Sequence, residues 1–124
     1  PGLVNLYRAL CTLENCPAKA LEPSGVSAAA LDRSDAQCVQ AVYHFTRFLG
    51  NVAGNLALTL GALGGLYIGG GIVLRLGSAF DAAVFRQSFE DKGRFRGYLA
   101  DIPVWAITVD TPALLGASRA LDQM

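Results

Sequence analysis

The stretch Leu66-Tyr67-Ile68-Gly69-Gly70-Gly71-Ile72-Val73-Leu74-Arg75 joins three apolar residues to three glycines and then to a helical pattern. A short apolar run that ends at glycine is typical of a buried strand, and the four-residue spacing of Ile72, Leu76 and Phe80 predicts a helix over 72–80. Glycines between a strand and a helix allow close approach to a ligand, and the first N–H groups of a helix suit a phosphate or nucleotide. A tight strand-to-helix turn that binds nothing explains the same residues, so both interpretations stay open.

The composition indicates a folded domain without strong charge. The 124 residues are enough for one domain, and 52% apolar with 16% charged residues argues against disorder. Ten basic and ten acidic residues balance, which argues against nucleic acid or an anionic membrane surface as the main partner. Three cysteines without a CxxC pair favour reduced thiols in a cytoplasmic protein, and the opening Pro1-Gly2-Leu3-Val4 lacks the basic segment of a signal peptide.

A membrane span is the alternative that the middle of the chain raises. No charged residue lies between Arg47 and Arg75, which is long enough to cross a bilayer. Asn51, Asn55 and the glycines of 64–71 argue against it, because lipid cannot satisfy the backbone groups that such breaks free. We therefore expect no membrane segment.

The first half of the chain predicts helices around one loop. Apolar spacing predicts a helix over 3–10, and the prolines and glycine of 14–27 predict a loop. Ser27 is a candidate cap for a short helix over 28–32, and Asp35 is a candidate cap for the next helix.

That next helix is long and carries two stripes. Apolar residues spaced three or four positions apart form one stripe along a helix face, namely Cys38, Val42, Phe45, Leu49, Val52, Leu56, Leu60 and Leu63. Small residues form the second stripe, Gly50, Gly54, Ala57 and Gly61, where another backbone is expected to pack closely. Gly64-Gly65 is the expected left-handed end of this helix.

The second half predicts further helices and a second strand. Val84, Phe85 and Phe89 share an apolar helix face that Gly93 is expected to end, and 95–102 predicts a short helix. The run 104–109 predicts a strand buried on both faces, and Thr111-Pro112 precedes a last helix over 113–123. The fold class is thus helix-dominated α/β with few short strands. Because an isolated pair of strands is marginal, we expect a sheet that lacks its other strands, in a single partial domain over 1–124.

Motifs for catalysis are scarce. The glycine stretch is not a P-loop, since GxxxxGK[ST] does not occur, and Leu74 stands where a Rossmann fingerprint needs its third glycine. His44 is the only histidine, so the sequence offers few candidate residues for a catalytic triad or for a histidine metal site. We therefore assign no catalytic and no metal-binding residue. Basic and aromatic residues alternate over 86–98, but Glu90-Asp91 lies among them and weakens a nucleic-acid interpretation.

Three segments together resemble a known family. They are Gly50-Asn51-Val52-Ala53-Gly54-Asn55-Leu56-Ala57-Leu58, Gly64-Gly65-Leu66-Tyr67-Ile68-Gly69-Gly70-Gly71-Ile72-Val73 and Phe89-Glu90-Asp91-Lys92-Gly93-Arg94-Phe95. In this order they resemble the C-terminal part of the bacterial ATP-dependent glucokinases, as do Pro1–Arg8, 102–104 and 112–116. Leu74 departs from the family, which usually has proline there, and 11–34 matches poorly.

The resemblance implies the C-terminal part of the large lobe of an actin-like ATPase (ribonuclease H-like) fold. It implies transfer of the ATP γ-phosphoryl to the 6-hydroxyl of glucose with Mg²⁺, in a cytoplasmic enzyme of glycolysis. Gly69, Gly70 and Gly71 match the family's adenosine motif, and the turn at Gly2 is expected near the base. In the family the phosphate loop, the catalytic base and the sugar ligands come earlier, so this chain alone is expected to be inactive.

Two alternatives stand beside this prediction. One is a non-catalytic helical module that associates with itself, since surface for a missing sheet would be exposed and a homo-oligomer is expected. The other is a kinase for a different hexose, because residues that select the sugar are absent. The expected partners are a nucleotide and, in the full-length enzyme, glucose, with no nucleic acid and no membrane.

Overall fold

The computed structural model describes residues 2–123, and α-helices dominate this range. The helices are α1 (Gly2–Leu13), α2 (Pro23–Leu31), α3 (Ala36–Leu60), α4 (Gly71–Leu76), α5 (Ala82–Glu90), α6 (Arg96–Ala100) and α7 (Pro112–Leu121). The strands are β1 (Leu66–Ile68) and β2 (Val104–Ala106), and short 3-10 turns cover Gly77–Ala79 and Gly93–Phe95. The predicted helix-dominated α/β class is confirmed. No helix among these residues is long and apolar enough to cross a membrane.

Helix α3 is the central element, and it begins where the sequence predicts. The Asp35 side chain accepts hydrogen bonds from the N–H groups of Gln37 and Cys38, which satisfies two free donors of the first turn. One apolar core lies between α1, α2 and the first half of α3 and includes Tyr7, Val26 and Val42. A second core lies around the second half of α3.

The second core depends on close contact between α3 and α5. A Cβ atom added at Gly50 would lie 2.4 Å from the Phe85 carbonyl oxygen, and one added at Gly54 would lie 2.3 Å from that of Phe89. The two helices therefore pack backbone to backbone, as the small-residue stripe predicts. Phe85, Phe89, Leu99 and Ile102 are buried behind this contact.

The apolar stripe of α3 lies on one helix face, as its spacing predicts, but only part of that face is buried. Cys38 and Val42 are buried, but Val52, Leu56 and Leu60 are at least half exposed. The physical reason is that the small residues, and not the leucines, face α5 in the second half of the helix. The helix also ends earlier than predicted, because Gly61 with φ 61° is its left-handed cap rather than Gly64-Gly65.

The loop predicted over 14–27 is wrong in its second part. Pro23 occupies the first turn of α2, a position where a proline loses no hydrogen bond, and the helix continues through 27. Ser27 caps nothing, since its hydroxyl donates to the Pro23 carbonyl inside the helix. Residues 14–22 form the connection between α1 and α2.

The two strands form a small parallel sheet. Leu66, Tyr67 and Ile68 pair in register with Val104, Trp105 and Ala106, in that order. Alternate residues of β1 and Val104 pack on the second core, whereas the Tyr67 and Trp105 rings stack on the outer face with centroids 4.9 Å apart. Burial of the second strand on both faces is therefore wrong for this chain, because Trp105 is 44% exposed.

The remaining boundaries differ by a few residues. Helix α4 stops at Leu76 and a 3-10 turn follows, so the helix predicted over 72–80 is shorter. Gly93 has φ 54° but starts a 3-10 turn, while Asp91 ends α5. Helix α7 starts at Pro112 as the proline signal predicts, and none of its residues is buried.

Candidate functional site

The three glycines form the turn from β1 into α4. Gly70, the residue before α4, has φ 101° and ψ 158°, a conformation that side-chain-bearing residues rarely adopt. On the strand side, the Ile107 N–H donates to the Ile68 carbonyl at 2.9 Å, and Gly69 lies beside the Ile107 side chain. The backbone requirement at Gly70 fixes the direction in which α4 leaves the sheet.

Gly71 makes room for the side chain of Arg75. The Arg75 Nε donates to the Gly71 carbonyl at 3.0 Å, and its Nη2 lies 3.2 Å from where a Cβ of Gly71 would stand. The guanidinium is thus held against the first turn of α4 while it remains open to solvent. A cation fixed in this way is available to a ligand beside the turn.

A cavity of about 350 Å³ adjoins this turn. It lies where α1 begins and where α2 and α4 face each other, and it is lined by Leu3, Pro23, Ser24, Ser27, Ala28, Leu31, Ile72 and Arg75. Small-molecule sites usually measure about 300–1,000 Å³ and combine apolar walls with a few polar groups. The walls here are mostly aliphatic, and Arg75 carries the only charge among these lining residues.

Two of the four predicted binding residues are chain neighbours of residues that line this cavity. Gly2 starts α1 next to the lining residue Leu3, and Gly71 precedes the lining residue Ile72. The sequence placed these two segments together only through the family resemblance. None of the four predicted glycines is itself a lining residue, and Gly2 belongs to the first turn of α1 rather than to a turn before it.

Sequence reasoning missed Ser24, Ser27 and Arg75 as lining residues. The serines were placed in a loop, and no interpretation was attached to the arginine. A signal for α2 was present, since Val26 and Ala30 are four residues apart and both are buried. The position of Arg75 four residues after Gly71 was the corresponding signal for the contact between its side chain and the turn.

The connection before α2 is held by Lys19. Its backbone N–H donates to the Tyr7 hydroxyl at 3.1 Å, and its Nζ donates to Asp35 at 2.9 Å. The hydrogen bond from Lys19 holds the pKa of Asp35 below its usual value. These contacts join α1, the connection and the start of α3, and so fix where the α2 wall of the cavity begins.

Potential metal ligands are not clustered in the described part of the chain. Over residues 2–123, no three histidine, cysteine or acidic residues lie together as a metal site would need. His44 lies on α3 with its ring edge-on to Tyr43 at 5.4 Å and tilted toward Phe48 at 6.3 Å, a packing environment.

Comparison with known proteins gives one consistent family. The glucokinase family model matches residues 1–124. The glucokinase of Aromatoleum aromaticum is 53% identical over 122 residues, and that of Pectobacterium atrosepticum is 47% identical over 123. These matches cover 98% and 99% of this chain but only 37% and 38% of the two relatives.

A solved structure agrees with the sequence matches. The crystal structure of a glucokinase from an Antarctic psychrotroph superimposes with a TM-score of 0.88 at 36% identity, covering all of this chain and 38% of that one. The chain therefore spans little more than a third of the length of its relatives, and it corresponds to their C-terminal part. The resemblance noted in the sequence is confirmed, and this chain belongs to the glucokinase family.

Proposed function

We propose that this chain forms the adenosine side of the ATP-binding cleft of a glucokinase, which transfers the γ-phosphoryl of ATP to the 6-hydroxyl of glucose. The observation that carries the proposal is the cavity between α1, α2 and α4. It lies between the two segments, at Gly2 and at Gly69–Gly71, that the family resemblance assigns to adenosine.

The chemistry of the cavity suits a nucleobase. Aliphatic side chains such as Leu3 and Ile72 offer dry surface to the two faces of a purine ring, while Ser24 offers a hydroxyl to its edge. The guanidinium of Arg75 presents a flat cation beside the same space, which suits contact with an aromatic ring or a phosphate. A nucleotide would therefore find both stacking surface and positive charge here.

The rest of the reaction needs groups that the family resemblance assigns to earlier parts of the complete enzyme. Phosphoryl transfer uses a carboxylate near the acceptor hydroxyl and metal ions at the phosphates. No carboxylate lines the cavity, and no three metal-ligating side chains lie together over residues 2–123, so the carboxylates that hold Mg²⁺ beside the phosphates would come from other parts of the complete enzyme. We infer that the isolated chain does not phosphorylate glucose.

The small sheet supports an actin-like ATPase fold for the complete enzyme. Its two parallel strands are followed by helices, and isolated pairs of strands are rarely stable on their own. The outer face carries the exposed Tyr67–Trp105 stack. A larger sheet that continues β1 and β2 in a two-lobed, cytoplasmic enzyme would give these strands their neighbours.

Self-association is the second candidate function. It rests on exposed apolar side chains that lie along two helices, namely Val52, Leu56 and Leu60 on α3 and Leu114, Leu115 and Leu121 on α7. Large exposed apolar patches are typical of interaction sites. A homo-oligomer, or contact with the rest of the enzyme, would cover them. Sedimentation at increasing protein concentration, with and without Mg-ADP, distinguishes a self-associating module from a nucleotide-binding one.

Calorimetric titration with Mg-ADP and then with glucose tests the main proposal. We expect heat from ADP and none from glucose. Glucose binding without ADP binding would show that the sugar side has been misplaced. Absence of both would contradict a nucleotide half-site. A coupled assay for glucose phosphorylation with the purified chain is expected to give no turnover.

A matched pair of variants locates the site. Ala28 lines the cavity and is exposed, so Ala28→Trp fills the space without entering a core. Ala120→Trp adds the same ring to the exposed surface of α7 and serves as the control. We expect Ala28→Trp to weaken ADP binding at least roughly tenfold, about 1.4 kcal/mol, and Ala120→Trp to leave it unchanged. Unchanged binding by Ala28→Trp would place the nucleotide elsewhere.

A further inference from the structure

The C-terminal end of α1 is closed by a Schellman motif, and both closing positions are cysteines. The Cys16 N–H donates to the Cys11 carbonyl at 2.9 Å, and the Asn15 N–H donates to the Thr12 carbonyl at 3.3 Å. Asn15 between them has φ 56°, the left-handed conformation that this motif requires. These three observations identify Cys11 and Cys16 as the two positions whose side chains meet across the motif.

The surroundings of the two thiols reinforce this pairing. Cys11 is buried in the first core, at 2% exposure, and Cys16 is half-buried and packs against the same core. Across a Schellman motif a hydrophobic contact is usual, so the backbone itself brings the sulfurs together.

We propose that Cys11 and Cys16 are a reversible disulfide site that closes the end of α1, with a low-molecular-weight disulfide as the oxidant. The half-exposed Cys16 thiolate attacks one sulfur of the oxidant and releases one thiol. The Cys11 thiolate then attacks the Cys16 sulfur of the mixed disulfide and releases the second thiol. Two protein thiols lose two electrons and two protons, and the oxidant becomes two thiols.

The third thiol is not part of this site. Cys38 lies on α3, and burial raises its pKa to about 11, so it forms little thiolate. Burial also raises the pKa of Cys16, and the contact with Cys11 adds to the effect. Because the thiolate is the attacking species, formation of the bridge is expected to accelerate as the pH rises toward the alkaline range.

The bridge would act on the connection between α1 and α2. Residues 14–22 run from the motif past Lys19, which bonds Tyr7 and Asp35, to the proline that starts α2. A covalent link at the start of this connection restricts the unfolded chain. The site does not depend on the proposed nucleotide function.

Thiol–disulfide equilibration in glutathione buffers tests the proposal on the complete 124-residue chain. Free thiols are trapped by alkylation and the chain is cut with trypsin, which releases 9–19 with both Cys11 and Cys16 and 34–47 with Cys38. We expect peptide 9–19 to lose two hydrogens and peptide 34–47 to remain alkylated. The equilibrium constant for forming the bridge should be at least roughly tenfold higher in the native chain than in concentrated urea, which corresponds to about 1.4 kcal/mol of added stability.

Two variants at Asn15 show whether the motif, and not mere sequence proximity, brings the thiols together. Asn15→Gly retains the left-handed turn, so the bridge should still form more favourably in the native chain than in urea. Asn15→Val opposes φ 56°, so bridge formation in the native chain should fall toward that in urea. Equal formation of the bridge in native and urea-treated wild-type chain would overturn the proposal. So would a link between peptides 9–19 and 34–47, or a stable mixed disulfide at Cys16.

Discussion

Replacing Gly54 by alanine tests the close contact of α3 with α5 on which the second core depends. An alanine Cβ at this position would lie 2.3 Å from the Phe89 carbonyl oxygen, and real Cβ atoms essentially never come within 3.0 Å of a non-bonded heavy atom of another residue. The helices must therefore separate by at least 0.7 Å (3.0 minus 2.3), and the oxygen cannot rotate away because it belongs to the main chain of α5. Phe85 and Phe89 are buried behind this contact and would lose part of their packing.

Two opposing terms decide the size of the effect. Alanine gains about 1 kcal/mol over glycine inside a helix. Overpacking a close contact costs about 1–3 kcal/mol, and a backbone collision belongs at the upper end. The net expectation for Gly54→Ala is a loss of about 2 kcal/mol in the free energy of unfolding, which lowers Tm by roughly 8 °C for a chain of this size.

Urea unfolding followed by circular dichroism measures this loss, with Gly97→Ala as the matched control. Gly97 also lies in a helix, but a Cβ there would meet nothing within 4 Å. The control should therefore be as stable as the wild type or more stable. If Gly54→Ala is stabilised to the same degree as Gly97→Ala, the inferred contact between the two backbones is wrong.

Three further variants, at two positions, test how the helix ends are held. The Arg86 guanidinium donates to the carbonyls of Leu99 and Ile102 at 2.9 and 2.7 Å. Arg86→Ala should therefore lower the free energy of unfolding in urea by about 2–3 kcal/mol, and Arg86→Lys by an intermediate amount. Equal stability of the wild type and these two variants would contradict this role. Asp35→Asn retains a capping oxygen but removes the charge that pairs with Lys19. Since the folded-state pKa of Asp35 is lowered, its contribution is present above about pH 3.9 and disappears as the pH falls through the folded-state pKa. Acid unfolding curves of wild type and variant should therefore converge at low pH, and parallel curves would argue against the pair.

The elements with strong local signals were predictable from the sequence. Asp35 as a cap, the small residues at Gly50 and Gly54, and Pro112 in the first turn of α7 each have one dominant physical reason, and the structure has all of them. Helix α2 was predicted only in its second half, over 28–32, because the start of its sequence, PSGVSAAAL, is rich in residues that also favour turns. Only Val26 and Ala30 showed its buried face.

Burial was harder to predict than secondary structure. The leucine stripe of α3 and the apolar run of 104–109 have the periodicity of buried elements, yet Leu60 is 74% exposed and Trp105 is 44% exposed. Periodicity reports which residues share a face, whereas burial depends on what packs against that face. In α3 the close approach of α5 selects the glycine side, and no local rule ranks one stripe above the other.

The candidate site shows the same division between local and tertiary information. Gly70 is explained by its positive φ and Gly71 by the Arg75 side chain that lies over it, so the turn accounts for both residues without any ligand. The glycines alone thus do not distinguish a binding turn from a structural one. What favours a nucleotide is the neighbouring cavity, whose α2 wall comes from a helix that the sequence predicted only in its second half. The decisive residues for the site are therefore the lining ones, and a ring placed at Ala28 tests them more directly than any change to the glycines.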